Sequence, residues 1–436
     1  MLIAPLLIAG MVMTKPVVKV TGDWTVRVPA QTFRIGRSTV KVKGDYDFKL
    51  DPPSTVAVHN EEHAGLPPFA TGWRQSPGGV CAQVVSYEIA ITGILNPESL
   101  TLKPSPDGKP YIADKDYKAD PMWGAVGRID NGAITENTPV YIDYSYNMTR
   151  VDTIAVDKHG IPHVIKGNDA LLCCKIPILP KGERRLANVL VPGYARKLSE
   201  EFLFPIVENS PFHDRTSAAS TRALIPKTWA KLNSGEPVRI LAWGDSVTDG
   251  LYLSDQSERW QAMFLKDMRK QFPRAKIELI TEAWGGRSTS SYLAEPAGSP
   301  KNFREKVLDL KPDLVISEFV NDVSLAQSQN ERVYSTIRQA FAKQGMEWIV
   351  MTPHYDTWQH QPTWGDRVER DARPHVAWLR TWTAANGIAL VDSSERWDHL
   401  AARGIPYAIY LTNGINHPCK EGLQLYVDAL MDAFGE

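Results

Sequence analysis

The run Arg239-Ile-Leu-Ala-Trp-Gly-Asp-Ser-Val-Thr-Asp-Gly250 constrains the fold of this chain more than any other stretch. Ile240, Leu241, Ala242 and Trp243 form a short apolar segment without alternation, the pattern of a strand buried on both faces. Such strands belong to parallel sheets covered by helices on each side, because only that arrangement hides both faces from water. Gly244 permits a sharp turn, and Ser246 then stands just past the strand's carboxyl end, the edge where open α/β sheets bind ligands. A hydroxyl presented there is a candidate nucleophile, and equally a residue that polar turns use for hydrogen bonding alone. Catalysis requires the rest of the chain to supply a base and an oxyanion hole.

Further apolar runs recur at residues 277–283, 314–319, 348–352 and 388–392. Between them Trp260, Phe264, Met268 and Phe272 repeat every four residues, as do Val333, Ile337 and Phe341. Buried strands alternating with amphipathic helices predict a doubly wound parallel sheet of five strands over residues 237–436. Leu423, Tyr426, Val427, Leu430, Met431 and Phe434 give the last helix one continuous apolar face. His417 stands in the loop that enters this helix, just before Pro418. Loops converge at one edge of such a sheet, so Ser246 on the first excursion and His417 on the last can meet despite their separation in sequence.

The chain before this domain reads differently. Over residues 15–191, Val85, Tyr87, Ile89 and Ile91 alternate with polar or small residues, and so do Val140, Ile142, Tyr144 and Tyr146. Asp107-Gly108, Asp130-Asn131-Gly132 and Asp157-Lys158-His159-Gly160 supply turn residues between such runs. Repeated strands with short turns predict an all-β, sandwich-like accessory domain. Residues 192–236 are a proline-punctuated transition, with a short helix over 227–232 stopped by Asn233-Ser-Gly235. Residues 1–14 are apolar but too short to span a bilayer; they read as a leader remnant or as a first hydrophobic strand, and the leader reading, favoured because no polar alternation interrupts the run, implies a secreted or periplasmic setting.

Composition then excludes several classes of function. Forty-nine Lys and Arg against 50 Asp and Glu leave a net charge of -1, which gives no field to recruit nucleic acid or an anionic membrane. Cys81, Cys173, Cys174 and Cys419 fall into no paired metal-binding or disulfide spacing. His59/His63 and His159/His163 are spaced four apart, which gathers ligands only on a helix, and neither segment reads as one. No metal or cofactor is expected.

Gly244-Asp245-Ser246, Gly285-Gly286-Arg287-Ser288-Thr289, Val320-Asn321-Asp322 and Asn416-His417-Pro418 resemble, in order and on successive elements, the four signature blocks of the SGNH (GDSL-type) hydrolases. The resemblance covers residues 237–436 and implies a flavodoxin-like three-layer domain with ester hydrolase activity. It implies Ser246 as nucleophile, His417 as base, and an oxyanion hole made of the Ser246 and Gly286 N–H groups and the Asn321 side chain. Two positions depart from the family pattern. The aspartate usually found three residues before the histidine is replaced by Gly414, which leaves Asn413, a backbone carbonyl, Asp392 or Asp322 as candidates for the third member, with Asn413 first. Phe319 stands where glycine is frequent and is expected to narrow or grease the pocket wall.

Trp284, Arg287 and Asp322 are the candidate substrate contacts, and Trp358 and Trp364 are further aromatics placed to stack on sugar faces. The resemblance to glycan esterases, the leader and the β-rich domain together favour an acetylated oligo- or polysaccharide as substrate. A general acyl-ester or lysophospholipid hydrolase is the alternative, and a non-catalytic glycan-binding protein is a third reading from another class.

Overall fold

The computed structural model describes residues 15–35, 38–71, 92–207, 218–356, 371 and 373–435. The chain divides into two compact units. One comprises Met1–Ser210, Thr357–Arg367 and Leu400–Asn416; the other comprises Pro211–Asp356, Val368–His399 and His417–Glu436. The expected leader, the expected strand at residues 85–91, Cys81, Trp358 and Trp364 lie outside the described residues.

In the second unit five strands, β1 (Pro237–Gly244), β2 (Lys276–Ala283), β3 (Leu314–Glu318), β4 (Glu347–Met351) and β5 (Ala389–Val391), form one parallel sheet in the order β2-β1-β3-β4-β5. This is the flavodoxin-like order, whose topological switch point lies between β1 and β3. Alternation along β1 sorts its side chains between two cores. Ile240 and Ala242 pack with Phe264 and Met268 of α1 (Trp260–Gln271) and with Leu423, Tyr426 and Leu430 of α4 (Lys420–Phe434). Leu241 and Trp243 face the opposite way, against Tyr334, Ile337 and Phe341 of α2 (Gln327–Gln344) and Trp378 and Trp382 of α3 (Pro374–Asn386). Each fully buried Leu, Ile or Phe contributes about 1.5–3 kcal/mol, so burial of both faces fixes the three layers. The helix expected near Lys227 spans Pro226–Ser234 and ends where Gly235 takes φ 85°.

The first unit is built from antiparallel pairs. Thr55–His63, Val140–Asn147 and Leu95–Lys103 form one sheet with Val140–Asn147 in the middle, and Val140, Ile142 and Tyr144 point into the core. Pro162–Ile165, Arg150–Val156, Arg184–Val191 and Leu203–Pro205 form another, so pairing continues past Val191. His59 and His63 lie on a strand, not a helix; His63 sits 2.8 Å from Glu61, and His163 sits 3.0 Å from Glu183. Among the described residues no helix is long and apolar enough to cross a membrane.

Candidate active site

The end of β1 makes the turn that sequence demands there. A side chain at Gly244 would place Cβ 2.1 Å from Thr248 Oγ1 and 2.5 Å from the Glu318 carbonyl of β3, so only glycine lets the two strands close on this turn. Asp245 then caps a four-residue helix, Ser246–Asp249, by accepting the Val247 N–H at 3.1 Å. Ser246 at its start is half-buried. Its Oγ lies 3.0 Å from Nε2 of His417, which is only 1% exposed in the loop before α4.

The His417 ring is stacked face to face on Tyr252, with centroids 4.3 Å apart and planes within 4°. Nothing in the sequence around Tyr252 marks it as more than a loop aromatic. The stack restricts imidazole rotation, and such pairs are worth about 0.5–1.5 kcal/mol. If that energy holds the ring in its reactive orientation, Tyr252→Leu lowers kcat about two- to tenfold with KM nearly unchanged. Steady-state kinetics of the purified variant check this, and an unchanged kcat would reduce the stack to packing.

Loops after β2 and β3 complete the edge. Gly285 lies against the nucleophile turn, its Cβ position 3.6 Å from Ser246 Cβ, and Gly286 adopts φ 70°, a conformation side chains resist. Asn321 follows β3, and both its backbone N–H and its Nδ2 donate to Asp245 Oδ2, at 3.0 and 2.8 Å. An amide nitrogen carries two hydrogens, so Nδ2 keeps a second donor after this bond. Arg287 is exposed, with its guanidinium 5.1 Å from the centre of the Trp284 ring.

Asp322 does not face a substrate as the sequence reading had it. It is fully buried, and its oxygens accept the Thr289 N–H and hydroxyl, each at 2.8 Å, and the Tyr334 hydroxyl at 2.9 Å. Its task is to tie the loop after β2 to the loop after β3, as Asp245 ties the latter to the nucleophile turn. Phe319 likewise serves the core: it is 3% exposed with its ring 4.9 Å from Trp243, rather than lining a pocket wall. Asp392 caps a helix and pairs with Arg380 at 2.6 Å. Asn413 folds back on its own loop, its Oδ1 accepting the Ile415 and Asn416 N–H groups at 3.0 and 2.9 Å while Nδ2 donates to Asn416 Oδ1 at 2.9 Å.

A third carboxyl, Glu318 at the end of β3, is also fully buried and accepts from the Tyr426 hydroxyl at 3.2 Å. Burial pushes Asp245 up to about 7 and Asp322 up to about 6, against the pull of their hydrogen bonds, and raises Glu318 well above the usual carboxyl range. Folded Asp322 therefore holds its proton more tightly than the unfolded chain, whose aspartates titrate near 3.9. The stability this contributes is complete below that value and is lost as the pH rises through about 6. Asp322→Asn abolishes the titration yet can keep all three bonds, because the Thr289 and Tyr334 hydroxyls can accept as well as donate. Denaturant unfolding between pH 4 and 8 should show wild-type stability falling relative to the variant. Parallel profiles would mean that Asp322 stays ionised throughout.

Residues 242–425 match the model of the GDSL-like lipase/acylhydrolase family, and this segment is a domain of that kind. No curated protein matches the chain. Among solved structures, a two-domain esterase active on acetylated mannans is 16% identical with a TM-score of 0.40, covering 49% of this chain and 54% of that one. The chain thus spans about half the length of that esterase. A catalytic mutant of Axe2, an acetylxylan esterase from Geobacillus stearothermophilus, is 16% identical with a TM-score of 0.37, covering 46% of this chain and 94% of that one. A GDSL-like lipase from Bacteroides thetaiotaomicron is 17% identical with a TM-score of 0.32, covering 50% and 94%.

Proposed function

We propose that this protein is a serine esterase that removes acyl groups, acetyl above all, from a carbohydrate. The observation that carries the reading is the 3.0 Å approach of His417 Nε2 to Ser246 Oγ at the switch point of the sheet. His417 takes the hydroxyl proton as Ser246 Oγ attacks the acyl carbon. The oxyanion that forms is met by the N–H groups of Ser246 and Gly286 and by the second hydrogen of Asn321 Nδ2. Collapse expels the sugar oxygen, which receives the proton from His417. Water then attacks the acyl-enzyme through the same base, and the free acid leaves. Asn413 is the proposed orienting member, acting by fixing the peptide that leads into His417. On that account Asn413→Ala lowers kcat more than it raises KM, and by less than His417→Ala; an unchanged kcat would remove Asn413 from the mechanism.

The sugar is expected over Trp284 and Arg287, an aromatic face and a charged donor that flank Gly285 and Gly286, the first of which has its Cβ position 3.6 Å from Ser246 Cβ. Acetate release from acetylated xylan and mannan, measured beside p-nitrophenyl esters of increasing acyl length, tests this. Turnover confined to long acyl chains would sink it in favour of a general acyl-ester or lysophospholipid hydrolase. That second reading has one observation behind it: Leu251, next to Tyr252, is 64% exposed.

A further inference from the structure

We propose that the β-rich unit carries a saccharide-binding cleft of its own. A cavity of about 630 Å³ opens on this unit, within the range of small-ligand sites, about 300–1,000 Å³. Its lining includes Trp24, Thr55, Asn96, Glu98, Asn147 and Arg196 and takes in no residue of the GDSL-like domain. Three of these come from neighbouring strands and are locked to one another. The Thr55 hydroxyl donates to Asn147 Oδ1 at 2.8 Å, Asn96 Nδ2 donates to the same oxygen at 3.1 Å, and Asn147 Nδ2 donates to Asn96 Oδ1 at 3.2 Å and to the Gly193 carbonyl at 2.9 Å. A polar floor held this way loses little rotamer entropy when a ligand arrives.

The remaining three groups define the ligand. Trp24 is half-buried, an apolar plate at the wall. Glu98 and Arg196 are exposed, and the side chain of neither is engaged in an ion pair or hydrogen bond among the described residues. Their charges cancel, so the cleft has no preference for an anion. It offers instead a carboxylate to accept from hydroxyls, a guanidinium to donate to them, and an indole face for C–H groups. A molecule with an apolar face and a hydroxyl-bearing edge, a pyranose ring in a glycan chain, answers all three. The inference does not depend on the esterase reading, since a cleft of this kind would bind whether or not Ser246 is catalytic.

The full chain carrying Ser246→Ala, titrated calorimetrically with acetylated and chemically deacetylated glucomannan and arabinoxylan, is expected to bind at least one of these saturably. Trp24→Ala in that background should weaken binding at least about tenfold. Because Trp24 also touches the core, the exposed pair Glu98→Ala/Arg196→Ala provides a second variant, expected to weaken binding to a similar degree with an unchanged Tm. Each variant in the active chain should hydrolyse p-nitrophenyl acetate at the parental rate. Absence of binding to all four polymers, or equal binding by parent and both variants, overturns the proposal; loss of ester hydrolysis in the Ser246 parent alone bears only on the catalytic reading.

Discussion

Ser246→Ala is expected to cut ester turnover on the order of 10⁴-fold or more while leaving the fold and Tm near those of the parent. Ser246 is half-buried at a helix start, and its Oγ bonds to His417 Nε2, so deletion of one oxygen leaves no cavity of consequence. His417→Ala should cost a comparable factor, because a serine hydroxyl does not attack an ester without a base to receive its proton. This second change also removes a buried ring stacked on Tyr252, so its effect on stability has to be measured separately from its effect on rate. The decisive result is the double variant. Two groups that act as one unit lose their value together, and the pair should be scarcely worse than either alone. Near-parental turnover in either single variant, or losses that multiply, would remove the Ser–His unit from the mechanism.

The second large effect is expected at Asn321. Its Nδ2 spends one hydrogen on Asp245 Oδ2 at 2.8 Å, which aims the other without any rearrangement during the reaction. Donors fixed in this way stabilise the charge that develops on the acyl oxygen and contribute little to substrate binding. Asn321→Ala should therefore lower kcat by about 10²–10³-fold with KM moved little. Asp245 would lose one of its bonds but retain the backbone N–H groups of Asn321 and Val247. A loss expressed mainly in KM would make Asn321 a substrate contact, and an unchanged kcat would leave the amide as a brace for the loop.

Local pattern was sufficient for much of this protein. Apolar runs and apolar residues spaced four apart revealed the five strands, of which the edge strand β2 is only partly buried, and the helices between them, because burial of a sheet's faces and of one face of a helix leaves a period in the chain itself. Turn chemistry at Gly286 was legible in the sequence, since backbone at positive φ selects glycine, whereas Gly244 is required by the close approach of Thr248 and the Glu318 carbonyl, which only the packed sheet brings against it. The order β2-β1-β3-β4-β5 was not written in any one segment; it is a property of which strands pair, and it is what brings Ser246 within 3.0 Å of a histidine 171 residues away. Asp322 was expected as a substrate contact or third triad member and Asp245 only as part of the nucleophile block; tertiary packing turned both inward, where the sheet edge supplies the donors that make burial of a carboxyl tolerable. Tyr252 against His417, and Trp24 beside Asn96 and Asn147, were likewise decided in three dimensions, because a ring face or an amide edge carries no signature until another segment is laid against it.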